Sequence, residues 1–285
     1  MSALLICGHI AAEWLIKMKR YTLRNIINSM PQNKKRVSSF WVKLIARRLS
    51  YVFTYLLINL GCSANFVSAM SGIVVFIGCL LLCIDNTVCL ITGVALINLW
   101  IVLDCCDGNI ARVTNRSSYM GEFFDAISGY VICAFSLIGV GVAAYNRSYL
   151  VFGEHQVVNI VIGACGCVSD LFSRLVYQKY TNNYFVTQCK VNGSATYTPE
   201  NYSFYDPKAR KGITYIRLVI DRQLGISGAF MPLLILACIF NLYDVLVLAY
   251  SLYHIAALLA VLYLFSKKAI RTEKEMHATY DATRN

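Results

Sequence analysis

The stretch D-C-C-D-G-N-I-A-R at residues 104–112 is followed, after eight residues, by G-E-F-F-D at residues 121–125. Apolar runs flank it on both sides. Three aspartates, two glycines and an arginine therefore fall where one apolar run ends and the next begins. An ionised side chain at membrane depth costs about 3 kcal/mol, so such groups mark a functional site by default. The flanking runs are each long enough to cross a bilayer, and only a short charged turn separates them. The stretch therefore reads as the tip of a transmembrane helical hairpin carrying chemistry.

The rest of the chain agrees. Its 285 residues are 58% hydrophobic and only 14% charged. A soluble domain carries about 25% charged residues. Six apolar segments are long enough to span, at roughly 65–84, 87–106, 120–144, 156–177, 214–241 and 245–265. The expected architecture is an all-α integral membrane protein of six transmembrane helices. Its expected organisation is a cytoplasmic N-terminal segment over 1–62, a six-helix domain over 63–265 and a cytoplasmic tail over 266–285. No basic run precedes the first apolar residues, so no cleaved signal peptide is expected.

Lys and Arg fix the expected orientation. Ten lie at or before Arg48, two in the turn holding Arg112 and Arg116, eight from Arg174 to Arg222 and five from Lys267 onward. Arg147 alone falls on the opposite side. The positive-inside rule places both termini and the aspartate stretch in the cytoplasm. It also explains the net charge of +11 without nucleic acid.

Residues 36–60 hold basic residues, Trp41 and an apolar face. Phe40, Leu44 and Arg47 recur at helical spacing, as do Trp41, Ile45 and Arg48. This predicts an amphipathic helix lying in the cytoplasmic interface ahead of the first span. A further span through 49–60 would be too short. Residues 1–30 suit a second amphipathic helix or none. The segment 181–212 is rich in Tyr, Asn, Thr and Ser, with Pro199 and Pro207, and reads as an irregular cytoplasmic connection. The twelve cysteines form no C-x-x-C pair and read as small buried hydrophobes.

On one helix, Asp104, Asp107 and Ala111 share a face, with Gly108 and Arg112 on an adjacent line. On the next, Gly121, Asp125 and Gly129 stack at intervals of four. Antiparallel packing would bring the carboxylates together. Carboxylate oxygens suit hard divalent cations, which in turn bridge diphosphates. Glycines at 108 and 121 allow close approach, and the planar fork of Arg112 suits a phosphate.

The run Asp104-x2-Asp107-Gly108-x2-Ala111-Arg112-x8-Gly121-x3-Asp125 resembles the signature of the CDP-alcohol phosphotransferase family. Upstream, the turn G-C-S-A-N-F-V carries Asn65 where the family has the asparagine of a T-P-N-like turn, with Ala64 in place of its proline. The resemblance covers roughly 36–180 in motif and character, and the last two spans in number alone. It implies transfer of a substituted phosphate from a CDP-linked alcohol to an acceptor hydroxyl, with release of CMP. It implies a cofactor, Mg²⁺ or Mn²⁺, held by Asp104, Asp107 and Asp125. Asn65, Gly108, Ala111, Arg112 and Gly121 would handle the nucleotide. The implied partners are the CDP-alcohol donor, a lipid or polar alcohol acceptor, membrane lipids and a second copy of the chain. No nucleic-acid partner is expected. Asp170 with Arg174, and Arg217 with Asp221, are charged pairs at helix ends. They suit either simple pairing or an acceptor pocket.

The family signature ends in a fourth aspartate, four residues beyond Asp125. This chain has Gly129 there. That removes an implied metal ligand and the implied general base. Asp125 with Glu122 or Asp170 as substitute base, an acceptor already ionised, or a silent CDP-binding protein are the readings that follow. A transporter using the aspartates as a cation relay would need broken helices and a repeat between halves.

Overall fold

The computed structural model describes residues 21–31, 38–192, 220 and 222–284, with the backbone alone for 187–192 and 275–284. No strand occurs among the described residues. The helices are α1 Leu23–Asn28, α2 Arg47–Asn59, α3 Ala64–Leu82, α4 Thr87–Thr114, α5 Tyr119–Arg147, α6 Val158–Asn192, α7 Met231–Phe240 and α8 Tyr243–Arg284. A π-helical turn over Val42–Ala46 leads into α2, and another over Ile226–Phe230 leads into α7. Among the described residues six stretches are long and apolar enough to cross a membrane. They are Ala64–Leu82, Thr87–Thr114, Tyr119–Arg147, Val158–Val186, Arg222–Phe240 and Tyr243–Lys274. Each coincides with a span expected from sequence.

The chain forms two compact units. The first comprises Met1–Phe135 and Ile220–Leu242, the second Ser136–Val219 and Tyr243–Asn285. In the first unit, α3 and α4 form a hairpin. Ser63 caps α3 by accepting a hydrogen bond from Phe66 N at 3.2 Å. Asn86 caps α4 by accepting from Val88 N at 2.8 Å. The two backbones touch at Gly78 and Gly93. A Cβ at Gly93 would sit 2.8 Å from the Gly78 carbonyl oxygen. In lipid no hydrophobic effect drives helices together, so small residues that admit close packing take that role.

Polar side chains bind the hairpin to the start of α5. Trp100 Nε1 donates to Ser128 Oγ at 2.6 Å, and Ser71 Oγ lies 2.8 Å from the same hydroxyl. All three residues are buried. Large apolar side chains such as Phe66, Ile73, Ile77, Leu80 and Ile91 instead face outward. That inverted pattern suits lipid as solvent.

Helix α2 lies with Ser50, Thr54, Ile58 and Asn59 buried and Leu49, Val52, Leu56 and Leu60 exposed. This is the amphipathic helix expected ahead of the first span. Its face differs from the expected one. Phe40 and Leu44 are exposed, whereas Arg47 falls on the line of Ser50 and Thr54 and is only partly exposed. The π turn inserts an extra residue into its turn, so residues beyond it rotate relative to a regular helix. The start of this helix is tied to residues ahead of α7. Ser39 Oγ donates to the Ser227 carbonyl at 2.7 Å, and Phe40 N donates to Gln223 Oε1 at 3.0 Å.

The fifth span is kinked at Gly228, whose φ of −107° and ψ of −111° are non-helical. A Cβ there would strike the carbonyl oxygens of Arg222 and Gln223. The close backbone approach at this kink therefore requires glycine.

In the second unit, α6 and α8 pack together. Gly166 admits Ser251 of α8: a Cβ at 166 would lie 2.5 Å from Ser251 Oγ. One sequence expectation is corrected here. Residues 181–192 are helical, as the continuation of α6, not irregular; α8 runs through Arg284, beyond its apolar stretch. Polarity rules out a span but not a helix. Tyr177 and Tyr180 pack their rings on Phe265 at 5.7 and 5.0 Å, which carries the α6–α8 pairing past the apolar stretch. Residues 193–212 of that connection, and most of residues 1–30, lie outside the described residues.

Candidate active site

The site is built at the end of α4 and the start of α5, within the first unit. Helix α4 ends at Asn115, which adopts left-handed dihedrals (φ 51°, ψ 36°), a conformation Asn tolerates well. Ser118 then starts α5 by accepting from Gly121 N at 3.1 Å. The same hydroxyl donates to Asn65 Oδ1 at 2.8 Å. Asn65, on the first turn of α3, therefore sits directly over Gly121. A Cβ at 121 would be 2.7 Å from Asn65 Oδ1, so any larger residue would push the Asn65 side chain out of this position. The Asn65 and Gly121 picked out from sequence are one contact.

Asp107 is 7% exposed and accepts from Ser68 Oγ at 2.6 Å. It lies within electrostatic reach of Asp125 on α5 and of Arg112. Two of the three expected carboxylates thus act on one another. Arg112 folds back along its own helix: a Cβ at Gly108 would come 3.1 Å from Arg112 Nη1. Gly108 therefore makes room for the guanidinium. Arg112 Nη2 donates to Asn109 Oδ1 at 2.7 Å. Asn109 Nδ2 in turn donates to Ser50 Oγ and Thr54 Oγ1, each at 3.2 Å. Helix α2 thereby orients the motif arginine. Ala111, Asp104 and Gly108 are partly exposed beside it, and Asp125 and Glu122 are exposed. Gly129 is open: nothing lies within 4 Å of a Cβ built there.

Three supporting residues escaped the sequence reading. Ser68, Ser118 and Asn109 hold Asp107, Asn65 and Arg112 respectively. A signal for the first existed. Asn65, Ser68 and Ser71 recur at intervals of three on an otherwise apolar helix, a polar stripe that membrane burial disfavours unless partnered.

Asp170 and Arg174 belong to the second unit. Arg174 Nε lies 3.4 Å from Asp170 Oδ1, the expected pair one turn apart. His254 Nδ1 lies 3.6 Å from the same oxygen, a partner the sequence did not suggest. Arg217 and Asp221 lie outside the described residues.

The family model for CDP-alcohol phosphatidyltransferases matches residues 62–219. That is more than half of the chain, and the chain belongs to this family. No curated protein matches it. The match begins just before the first span and covers the aspartate stretch. It defines an integral, multi-pass membrane protein of a transferase family.

The family's divalent cation can be tested against these residues. Among the described residues no three His, Cys, Asp or Glu side chains are gathered around one point. Asp107 directs Oδ2 to Ser68 instead. The donor chemistry nonetheless fits a hard cation: three carboxylates from two consecutive helices, with Asp107 and Asp125 already within mutual reach. Asp104, Asp107 and Asp125 are the residues that would hold it.

Proposed function

We propose that this protein transfers a substituted phosphate group from a CDP-linked alcohol to an acceptor hydroxyl, releasing CMP, in the synthesis of a phospholipid or related glycolipid or glycan. The observation that carries the reading is the assembly at the α4–α5 junction. There Asn65 seats on Gly121, Arg112 is held over Gly108, and Asp107 lies within electrostatic reach of Asp125. In-line displacement at phosphorus needs chiefly positioning and charge stabilisation. Arg112 holds a phosphate of the donor, and Gly108, Ala111, Gly121 and Asn65 shape the nucleotide pocket. Mg²⁺ or Mn²⁺, held by Asp104, Asp107 and Asp125, would neutralise the diphosphate and stabilise the leaving oxygen.

The acceptor oxygen forms the new bond to phosphorus as the bond to CMP breaks, and the acceptor's proton must leave. With Gly129 in place of a carboxylate, Asp125 or Glu122 takes that proton. Glu122 begins α5 two turns from position 129, roughly 10 Å along the helix. Asp170, Arg174 and Arg217 carry the reading for the acceptor. The positive-inside count puts the site and both termini on the cytoplasmic face. The six spans then act as one catalytic domain, and a homodimer is its proposed assembly.

The test is incubation of purified protein with a panel of CDP-alcohols, Mg²⁺ and a lipid extract, scoring CMP. Release above a chelator control supports the reading. A specific observation favours one alternative, a silent CDP-binding protein: the missing carboxylate at 129. CDP binding without CMP release from any donor would select it.

A further inference from the structure

Outside the family signature, one arginine stands in an unusual setting. Arg47 follows the π turn of the interfacial helix and shares its face with Ser50 and Thr54, which reach Asn109 of α4. Arg47 lies within electrostatic reach of Arg112 and of Cys105. Two guanidinium groups are thus brought near one another in a partly dry place. Their hydrogen-bonding capacity is not exhausted. Arg47 Nη2 donates to Ser38 Oγ, while its Nε and Nη1 are buried without a hydrogen-bond partner. Arg112 Nη2 donates to Asn109, while its Nε is likewise buried and unpartnered. Leaving buried charged donors unpaired costs free energy, and the repulsion of like charges adds to it. Helix α2 holds this arrangement through several hydrogen bonds, so it is built in.

We propose that Arg47 and Arg112 form a two-guanidinium clamp for a single phosphate group. Phosphate has oxygens on several sides and can accept from two arginine forks at once. A cleft of about 510 Å³ opens on the Arg112 half of the clamp. It is lined by Tyr21, Asn25, Ser29, Val113 and Asn115, with Arg112 in its wall. The clamp gives a reason for the π turn, beyond which Arg47 shares the line of Ser50 and Thr54, the residues that reach Asn109, instead of the line of Phe40 and Leu44. It extends the transferase reading and rests on it for one source of the phosphate, the donor's diphosphate. A lipid headgroup phosphate is the other source with the same chemistry.

The test uses full-length protein in maltoside micelles, which carry no phosphate. CDP binding in Mg²⁺ is measured calorimetrically for wild type, Arg47→Gln and Arg47→Lys. Arg47→Gln is expected to weaken CDP by about 10- to 100-fold, the loss typical of charge-assisted hydrogen bonds. Arg47→Lys keeps the charge without the fork and is expected to fall between. It also serves if the Gln variant fails to fold. A second arm measures thermal stabilisation by phosphatidic acid. Stabilisation lost in the Arg47 variants, with CDP affinity unchanged, assigns the clamp to lipid phosphate. Wild-type behaviour of both variants in both arms overturns the proposal. Failure of the wild type to bind CDP at all would instead sink the transferase reading. The phosphatidic acid arm would then decide the clamp by itself.

Discussion

Gly129→Asp installs the carboxylate that the resemblance to the family signature implies at this position. Sterically the change is free, because nothing lies within 4 Å of the new Cβ. Replacing a mid-helix glycine gains about 0.3 kcal/mol of helix propensity. A like-charged neighbour one turn away, Asp125, takes back about 0.2–0.5 kcal/mol. Both terms are small beside the cost of an unpaired carboxylate at membrane depth, about 3 kcal/mol. On the scaling of larger domains that corresponds to a loss of about 6–12 °C in Tm. In chelator, the variant is therefore expected to melt well below wild type. If position 129 faces the Asp107–Asp125 cluster, millimolar Mg²⁺ neutralises the added charge and recovers that loss. CMP release should then rise by about 10²-fold, the lower range for a positioned base. The measurements are thermal unfolding with and without Mg²⁺, and CMP release from the best donor. A melting loss that neither Mg²⁺ nor Mn²⁺ recovers, with turnover unchanged, would refute both the geometry and the role assigned to this position.

Four further outcomes are expected. Asn at Asp104, Asp107 or Asp125 should weaken CDP binding in Mg²⁺ and leave it unchanged in chelator; equal binding by wild type in both conditions removes the metal site. Ser68→Ala deletes a hydrogen bond to the buried Asp107 carboxylate and should cost about 1.5–3 kcal/mol in unfolding free energy. Gly121→Ala places a Cβ 2.7 Å from Asn65 Oδ1 and should displace Asn65 from Ser118, lowering CMP release at least tenfold by the loss of placement; unchanged release would show that the contact is incidental. In a cysteine-depleted background, a cysteine at Asp85 should react with an impermeant reagent added outside, and one at Lys267 should not. The opposite pattern would invert the topology.

The number and rough places of the six spans were legible because lipid imposes a simple rule: about 20 apolar residues, with their backbone bonded internally. Such a rule depends on composition along a short window, which sequence displays directly. The Asp104–Asp125 stretch was legible for a related reason, since its spacing on helices is local. The continuation of α6 through Asn192 was not. It depends on Tyr177 and Tyr180 finding Phe265 of α8, almost ninety residues away. Chain polarity carries no trace of that partner.

The sequence by itself determined the membrane class, the spans, the family and which residues line up along α4 and α5. Helical periodicity and the cost of charge in lipid are sufficient for each of these. Only tertiary structure decided what those residues touch. It set Asn65 on Gly121 and Ser68 on Asp107, opened the space at Gly129, and brought Arg47 to Arg112. The last shows the reason most plainly. A regular helix would have kept Arg47 on the line of Phe40 and Leu44, but beyond the π turn it shares the line of Ser50 and Thr54. Such a turn is held by contacts with distant helices, and those contacts come from the fold as a whole.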